Sequence, residues 1–152
     1  MEREVLEVDI LIVGGGPAGM SAALRLAQMQ KAKGGEPLSI AVLEKAREAG
    51  AHMMSGAVLV PSTLKGLIPN VKEKGAPLAA EVSDEHMYFL TAAAKLPLPF
   101  IPPPFQNHGN YVISLNKFVT WLGEQVEELG RVVHEVCSER LEKLKAAAGK
   151  GS

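Results

Sequence analysis

From Val8 to Val13 every position except Asp9 is apolar. Apolar residues at consecutive rather than alternate positions predict a strand covered on both faces, as in a parallel sheet flanked by helices. The run stops at Gly14-Gly15-Gly16-Pro17, and the period then changes. Ala18, Ala22, Ala23, Leu26, Ala27 and Gln30 follow at helical spacing, with small residues where the helix must lie near the sheet. Pro17 suits the first turn of that helix, because the N–H it lacks would be unpaired there in any case. Lys31 to Gly35 supplies a basic, glycine-containing end. Leu38 to Leu43 reads as a second strand, and Glu44 stands at its C-terminal end.

Beyond this strand–helix–strand unit the pattern loosens. Residues 76–113 read as short extended segments, with strands expected at Met87 to Leu90 and Tyr111 to Leu115. Between them lies Leu96-Pro97-Leu98-Pro99-Phe100-Ile101-Pro102-Pro103-Pro104-Phe105. Its prolines forbid a helix and a central strand, which leaves an extended apolar loop that covers a ligand, faces a partner or packs on its own domain. Leu115, Phe118, Val119, Leu122, Val126 and Leu129 then form one helical stripe, so an amphipathic helix is expected from about Asn116 to Leu129, ended by Gly130, with Trp121 in the core beside it. Val133, Val136, Cys137, Leu141 and Leu144 again have helical spacing, and Ala146 to Ser152 should fray. The expected division is 1–75 for the strand–helix–strand region, 76–115 for a β-rich insertion with the proline-rich loop, 116–145 for helices returning to the first region, and 146–152 for a frayed tail. The fold class is α/β, with an incomplete Rossmann-like parallel sheet and the start of a second, β-rich substrate domain.

Composition narrows the function classes. The chain has 152 residues, 47% of them hydrophobic, enough for a domain with a real core. A net charge of −1 gives no electrostatic case for nucleic acid or an anionic membrane surface. The single cysteine, Cys137, cannot make an internal disulfide or supply the four ligands of an iron–sulfur cluster, and no metal site is expected. Beside it only Arg140 would lower a thiol pKa, so it reads as a half-buried small residue. The acidic start carries no signal-peptide pattern. The uncharged run from Ile10 to Leu24 is shorter than the ~20 residues a membrane helix needs. A cytoplasmic setting is the expectation.

The chemistry concentrates at the glycine turn. Gly14 allows the sharp exit from the strand, Gly16 lets backbone approach phosphates, and Gly19 lets the helix pack close to the strand. A helix N-terminus there favours a diphosphate. Glu44 is the natural ribose partner, since a carboxylate accepts hydrogen bonds from both ribose hydroxyls and repels a 2′-phosphate, which argues against NADP. The competing reading is a glycine-rich turn that merely packs. Strand, proline-started helix, second strand and terminal acid all oppose it.

Asp9-Ile10-Leu11-Ile12-Val13-Gly14-Gly15-Gly16-Pro17-Ala18-Gly19 with Ala22-Ala23 resembles the FAD-type version of this turn. Farther on come Glu44-Lys45, Gly50-Ala51-His52-Met53-Met54-Ser55-Gly56-Ala57-Val58, Lys74-Gly75-Ala76-Pro77-Leu78, Asn107-His108-Gly109-Asn110-Tyr111-Val112-Ile113-Ser114-Leu115 and Trp121-Leu122-Gly123-Glu124-Gln125. In that order they resemble the N-terminal FAD-binding part of the electron-transfer-flavoprotein:ubiquinone oxidoreductase family, over about residues 8–130. The resemblance implies FAD as cofactor, a four-iron cluster, a quinone pocket, and peripheral attachment on the matrix or cytoplasmic face of a membrane. It implies electron-transfer flavoprotein as donor and ubiquinone as acceptor. By position it puts Gly14, Gly16, Pro17, Ala18 and Gly19 around the pyrophosphate, Glu44 on the adenosine ribose, Lys45 near the adenine, and Ser55 and Gly56 along the flavin. No catalytic residue is assigned. Plain alternatives stand beside these roles: a turn cap for Ser55, a solvated charge for Lys45, a packed, hydrogen-bonded residue for His52 and a turn-shaping one for His108.

After Gly130 the resemblance stops, and an amphipathic helix is expected where the family has a strand. One cysteine cannot support the cluster, and the segments that would bind flavin ring and quinone are expected beyond these residues, as in a truncated copy. Membrane contact is expected only through such parts. The expected behaviour is weak FAD binding without electron transfer by the chain alone. The alternatives are a non-catalytic nucleotide-binding module and a geranylgeranyl-reductase-like flavoprotein. The Asn-His-Gly-Asn-Tyr segment favours the quinone-linked family over the latter.

Overall fold

The computed structural model describes residues 7–36, 38–46, 48–54, 56–129 and 132–136. The chain divides into two compact units, one of Met1–Ser55 with Leu115–Ser152 and one of Gly56–Ser114. The sequence reading put its first boundary at residue 75; the observed one precedes a strand, Ala57–Leu59, that pairs within the second unit.

In the first unit, strands β1 (Ile10–Val13) and β2 (Ile40–Glu44) are parallel neighbours joined by helix α1 (Pro17–Lys33). Ile10 pairs with Ile40 and Val13 with Leu43, and the Gly14 N–H continues the ladder to the Leu43 carbonyl at 2.8 Å. Asp9, the polar exception in the apolar run, accepts the Ser39 N–H at 2.7 Å and so fixes the register from its lower end. Helix α1 buries Met20, Ala23, Leu24, Ala27 and Gln30. Ala18 and Ala22, placed on the packed stripe by the sequence reading, are exposed instead. Gly34, at positive φ, closes the helix by donating its N–H to the Gln30 carbonyl. The Gln30 side chain donates to the Glu36 carbonyl at 3.1 Å. Helix α2 (Leu115–Glu127) matches the expected stripe closely. It buries Phe118, Val119, Leu122 and Val126 and packs with α1, and Trp121 lies against Phe118 with ring centroids 5.8 Å apart.

Two expectations fail here. Leu11 and Val13 are 57% and 77% exposed, so β1 is covered on one face and not on both. Apolar composition allows burial, and only a packing partner on that face delivers it. The helix expected after Gly130 is also wrong where the structure is described. Val132–Val136 is a strand, β3, parallel to β2 and in register from Ile40 with Val132 to Glu44 with Val136. The open edge of β2 offers a row of unpaired N–H and C=O groups, and a segment with three β-branched valines satisfies them better than an isolated helical turn would. The rest of the expected helix, including Cys137, lies outside the described residues. The sheet order is β1-β2-β3.

The second unit holds strands β4 (Ala57–Leu59), β5 (Leu78–Glu81), β6 (Tyr88–Leu90), β7 (Lys95–Pro97) and β8 (Tyr111–Ile113) with the short helix α3 (Pro61–Leu67). An antiparallel sheet runs β4-β8-β5, and β6 and β7 form a separate hairpin. Thus the proline-rich segment begins as one strand of a two-stranded hairpin, where proline is tolerated, and contains a 3₁₀ turn at Pro103–Phe105. The expected strands near 87–90 and 111–115 are present, whereas α3 and β4 were not foreseen. Tyr111 donates its hydroxyl to Glu81 at 2.8 Å, and the Lys72 ammonium lies 5.0 Å from the Tyr111 ring centre.

Leu122, 1% exposed, anchors α2 in the core. Leu122→Ala is expected to cost about 2–5 kcal/mol, read as a lower urea midpoint in far-UV circular dichroism.

Candidate functional site

The turn between β1 and α1 is shaped by glycines that act in different ways. Gly14 sits at φ +106°, a conformation that disfavours any side chain. At Gly19 a Cβ would stand 2.0 Å from the Gly14 carbonyl oxygen and 3.3 Å from Ile12. Helix and turn therefore touch backbone to backbone, as the sequence reading required. Gly16 is the N-cap of α1, with Pro17 opening the helix; no side chain caps its N-terminus and no acid lies in its first turn. The positive end of the helix dipole thus faces the turn uncompensated by the helix's own side chains.

Glu44 reaches this turn from the end of β2. Its Oε2 accepts the Gly15 N–H at 2.6 Å, and its Oε1 accepts the Ala46 N–H at 2.9 Å. Burial acts to raise the carboxyl pKa, but N–H groups of Ala46, Gly15 and Lys45, with His52 as a nearby positive partner, outweigh it and hold the pKa below its ordinary value. Each oxygen keeps acceptor capacity for a further donor. A Cβ on Gly15 would lie 3.0 Å from Oε2 and 3.1 Å from the Glu44 Cβ, so glycine is what permits this approach.

The segment after β2 completes the rim. The Met53 methyl lies 3.1 Å from where a Gly16 Cβ would stand, and the Met53 N–H donates to the Gly50 carbonyl. His52 is exposed rather than packed, because its neighbours in this turn leave it at the surface. Among the residues expected at the site, Gly14, Gly16, Pro17, Gly19 and Glu44 gather around the turn; Ala18 and Lys45 are exposed beside it. Ser55 lies outside the described residues, and Gly56, at φ +96°, is the first residue of the second unit. Gly15, the middle member of the triple glycine, and Ala46, which carries no motif, donate to Glu44 without having been expected at the site. His108, in the second unit, bonds through Nδ1 to the Ser83 carbonyl at 3.1 Å and shapes its own loop.

An uncapped helix start, a turn without side chains and a carboxylate one strand away fit the adenosine diphosphate portion of a dinucleotide: N–H groups for the diphosphate, acceptor oxygens for the ribose. The Glu44 arrangement also links stability to pH. With the folded pKa below the unfolded one, its contribution is present above the unfolded pKa and is lost as pH falls through the folded one. Acidification through that window is expected to lower the unfolding free energy of the unaltered chain more than that of Glu44→Gln, measured by urea unfolding at a series of pH values. Equal slopes would remove the carboxylate from this role.

Comparison with known proteins agrees with this geometry. Mitochondrial electron transfer flavoprotein-ubiquinone oxidoreductase of Mus musculus is 47% identical over 135 residues, 88% of this chain and 22% of that protein. The Pseudomonas aeruginosa electron transfer flavoprotein-ubiquinone oxidoreductase is 48% identical over 133 residues, 86% of this chain and 24% of that one. The chain thus spans about a quarter or less of the length of these curated relatives. A crystal structure of the flavin-dependent monooxygenase PieE in complex with FAD and substrate superposes with a TM-score of 0.59 at 21% identity, over 87% of this chain and 24% of that one, and shows a shared α/β fold. A family model described as FAD dependent oxidoreductase matches residues 9–150. The chain belongs to the FAD dependent oxidoreductase family, and within it resembles the electron transfer flavoprotein-ubiquinone oxidoreductases.

Proposed function

We propose that this chain binds the adenosine diphosphate half of FAD, as part of a flavoprotein that passes electrons from electron-transfer flavoprotein to ubiquinone. The observation that carries the binding reading is the Glu44 carboxylate drawn onto the Gly15 N–H at 2.6 Å, at the junction of two parallel strands and an uncapped helix. Backbone N–H groups of Gly16, Ala18 and Gly19 lie on the diphosphate side, with Gly14 and Pro17 shaping the turn that presents them; Glu44 holds the ribose, and Lys45 lies toward the adenine. Resemblance alone assigns Ser55 and Gly56 to the flavin side, and resemblance alone supplies donor and acceptor. It likewise supports a place on the matrix or cytoplasmic face of an inner membrane; no helix among the described residues is long and apolar enough to cross one. The second unit, Gly56–Ser114, is read as the start of a substrate domain.

FAD, when bound, supplies the redox chemistry. The chain's own residues bind and orient: the turn excludes side chains from the diphosphate, and the ionised Glu44 selects a free ribose over a 2′-phosphorylated one. One cysteine does not fit a four-iron cluster, and no step passes through one.

Magnitudes argue for weak binding by these residues alone. A helix N-terminus contributes ~0.3–1 kcal/mol to an anion, at most ~2 when partly buried. Hydrogen bonds to a charged group add ~1.5–3 kcal/mol. Nanomolar affinity needs about −12 kcal/mol, so burial of the flavin ring must provide much of it. Calorimetric titration tests the reading. FAD and ADP are expected to give saturable heat and NADP none, and Glu44→Ala is expected to weaken FAD at least ~10-fold. Absence of heat with FAD and ADP would leave a non-catalytic scaffold; flavin co-purifying stoichiometrically would contradict weak binding.

A further inference from the structure

The segment from Ala46 to Met53 touches the site at both ends: the Ala46 N–H holds Glu44, and Met53 lies beside Gly16. None of its described residues belongs to a sheet or helix. It is held by α2. The Asn116 side chain donates from Nδ2 to the Gly50 carbonyl at 2.8 Å. The Thr120 hydroxyl, one turn farther along the same helix, stands 3.1 Å from the Ala49 carbonyl and 3.1 Å from the Asn116 carbonyl. Gly50 is at φ +82°, and a Cβ there would stand 2.9 Å from the Asn116 carbonyl oxygen and 3.1 Å from Val119. The turn is therefore seated directly on the helix, with Ala49 buried between them.

We propose that Asn116 and Thr120 are positioning residues for dinucleotide binding: by clamping the Ala49–Gly50 carbonyls they hold the rim of the site against the glycine turn. This inference rests on the FAD reading. A polar i, i+4 pair beside the apolar stripe of an amphipathic helix would ordinarily face solvent. Here both side chains are half-buried and point their donors at consecutive carbonyls of one loop. Two tethered carbonyls restrict the loop before ligand arrives, so binding loses less conformational freedom. The chain leaves this unit after Ser55 and re-enters it at Leu115, so the Gly50–Asn116 bond also ties the exit to the re-entry within the unit.

The test uses the full chain with Asn116→Ala, Thr120→Val, Thr120→Ser and the double variant Asn116→Ala/Thr120→Val. FAD and ADP affinities are measured by calorimetry, and amide exchange is followed at Ala51, Met53 and Gly14. The double variant is expected to bind FAD about tenfold more weakly, equivalent to ~1.4 kcal/mol. Exchange should be faster at Ala51 and Met53 and unchanged at Gly14, whose N–H belongs to the β1–β2 ladder. Thr120→Ser should keep the unaltered affinity where Thr120→Val loses part of it, and this pair decides the matter if the double variant does not fold. Unaltered FAD affinity in Thr120→Val and the double variant would overturn the positioning role alone. Failure of the unaltered chain to bind FAD or ADP would overturn the FAD reading and this inference together.

Discussion

The Glu44 carboxylate ties the end of β2 to the glycine turn that opens α1. It leaves the end of β2, accepts the Gly15 N–H with one oxygen, and accepts the Ala46 N–H with the other. A carboxylate brought this close to backbone would be costly if unsatisfied. Three backbone N–H groups and a histidine on the following turn compensate its burial and keep it ionised. The same charge that stabilises the turn is the one proposed to meet a ribose, which would place local stability and ligand selection on one group.

That interaction depends on how closely the backbone elements approach. The Gly14 carbonyl occupies the space that a side chain at Gly19 would need, and the Glu44 side chain occupies the space that one at Gly15 would need. Helix α1 can therefore descend onto the turn, with its uncapped N–H groups directed at the mouth of the site. The following loop is held against α2 by two side-chain donors of that helix. Gly50 completes this series of close approaches: the first lies between helix and turn, the second between turn and strand end, and the third between loop and second helix.

Residues far apart in the chain thus meet for different physical reasons. Glu44 was legible from the start, because strand, glycine turn, helix and acid follow one another at distances set by the lengths of those elements. Gly15 was passed over although it supplies the donor. In a triple glycine the outer members have known tasks, and nothing in the spacing says which N–H a carboxylate will find. Asn116 and Thr120 lie more than sixty residues from the carbonyls they hold. Their i, i+4 spacing was visible, but their target depends on where the loop after β2 lands. His52, read as a packed residue from its apolar neighbours, proved exposed.

Local pattern determined the elements themselves: the glycine turn, the proline-started helix, the acid at the strand end, and the amphipathic stripe of α2. These follow from backbone conformational limits and hydrophobic period, which act over a few residues. Tertiary structure alone decided the rest. It left Leu11 and Val13 open on one face of β1, because burial requires a partner and apolar character does not create one. It turned Val132–Val136 into a strand despite their helical spacing, because β2 presented an edge whose hydrogen-bonding groups needed partners. It also chose which carbonyls α2 would hold, since that choice is made by the packing of helix against loop and is written in no single stretch of the chain.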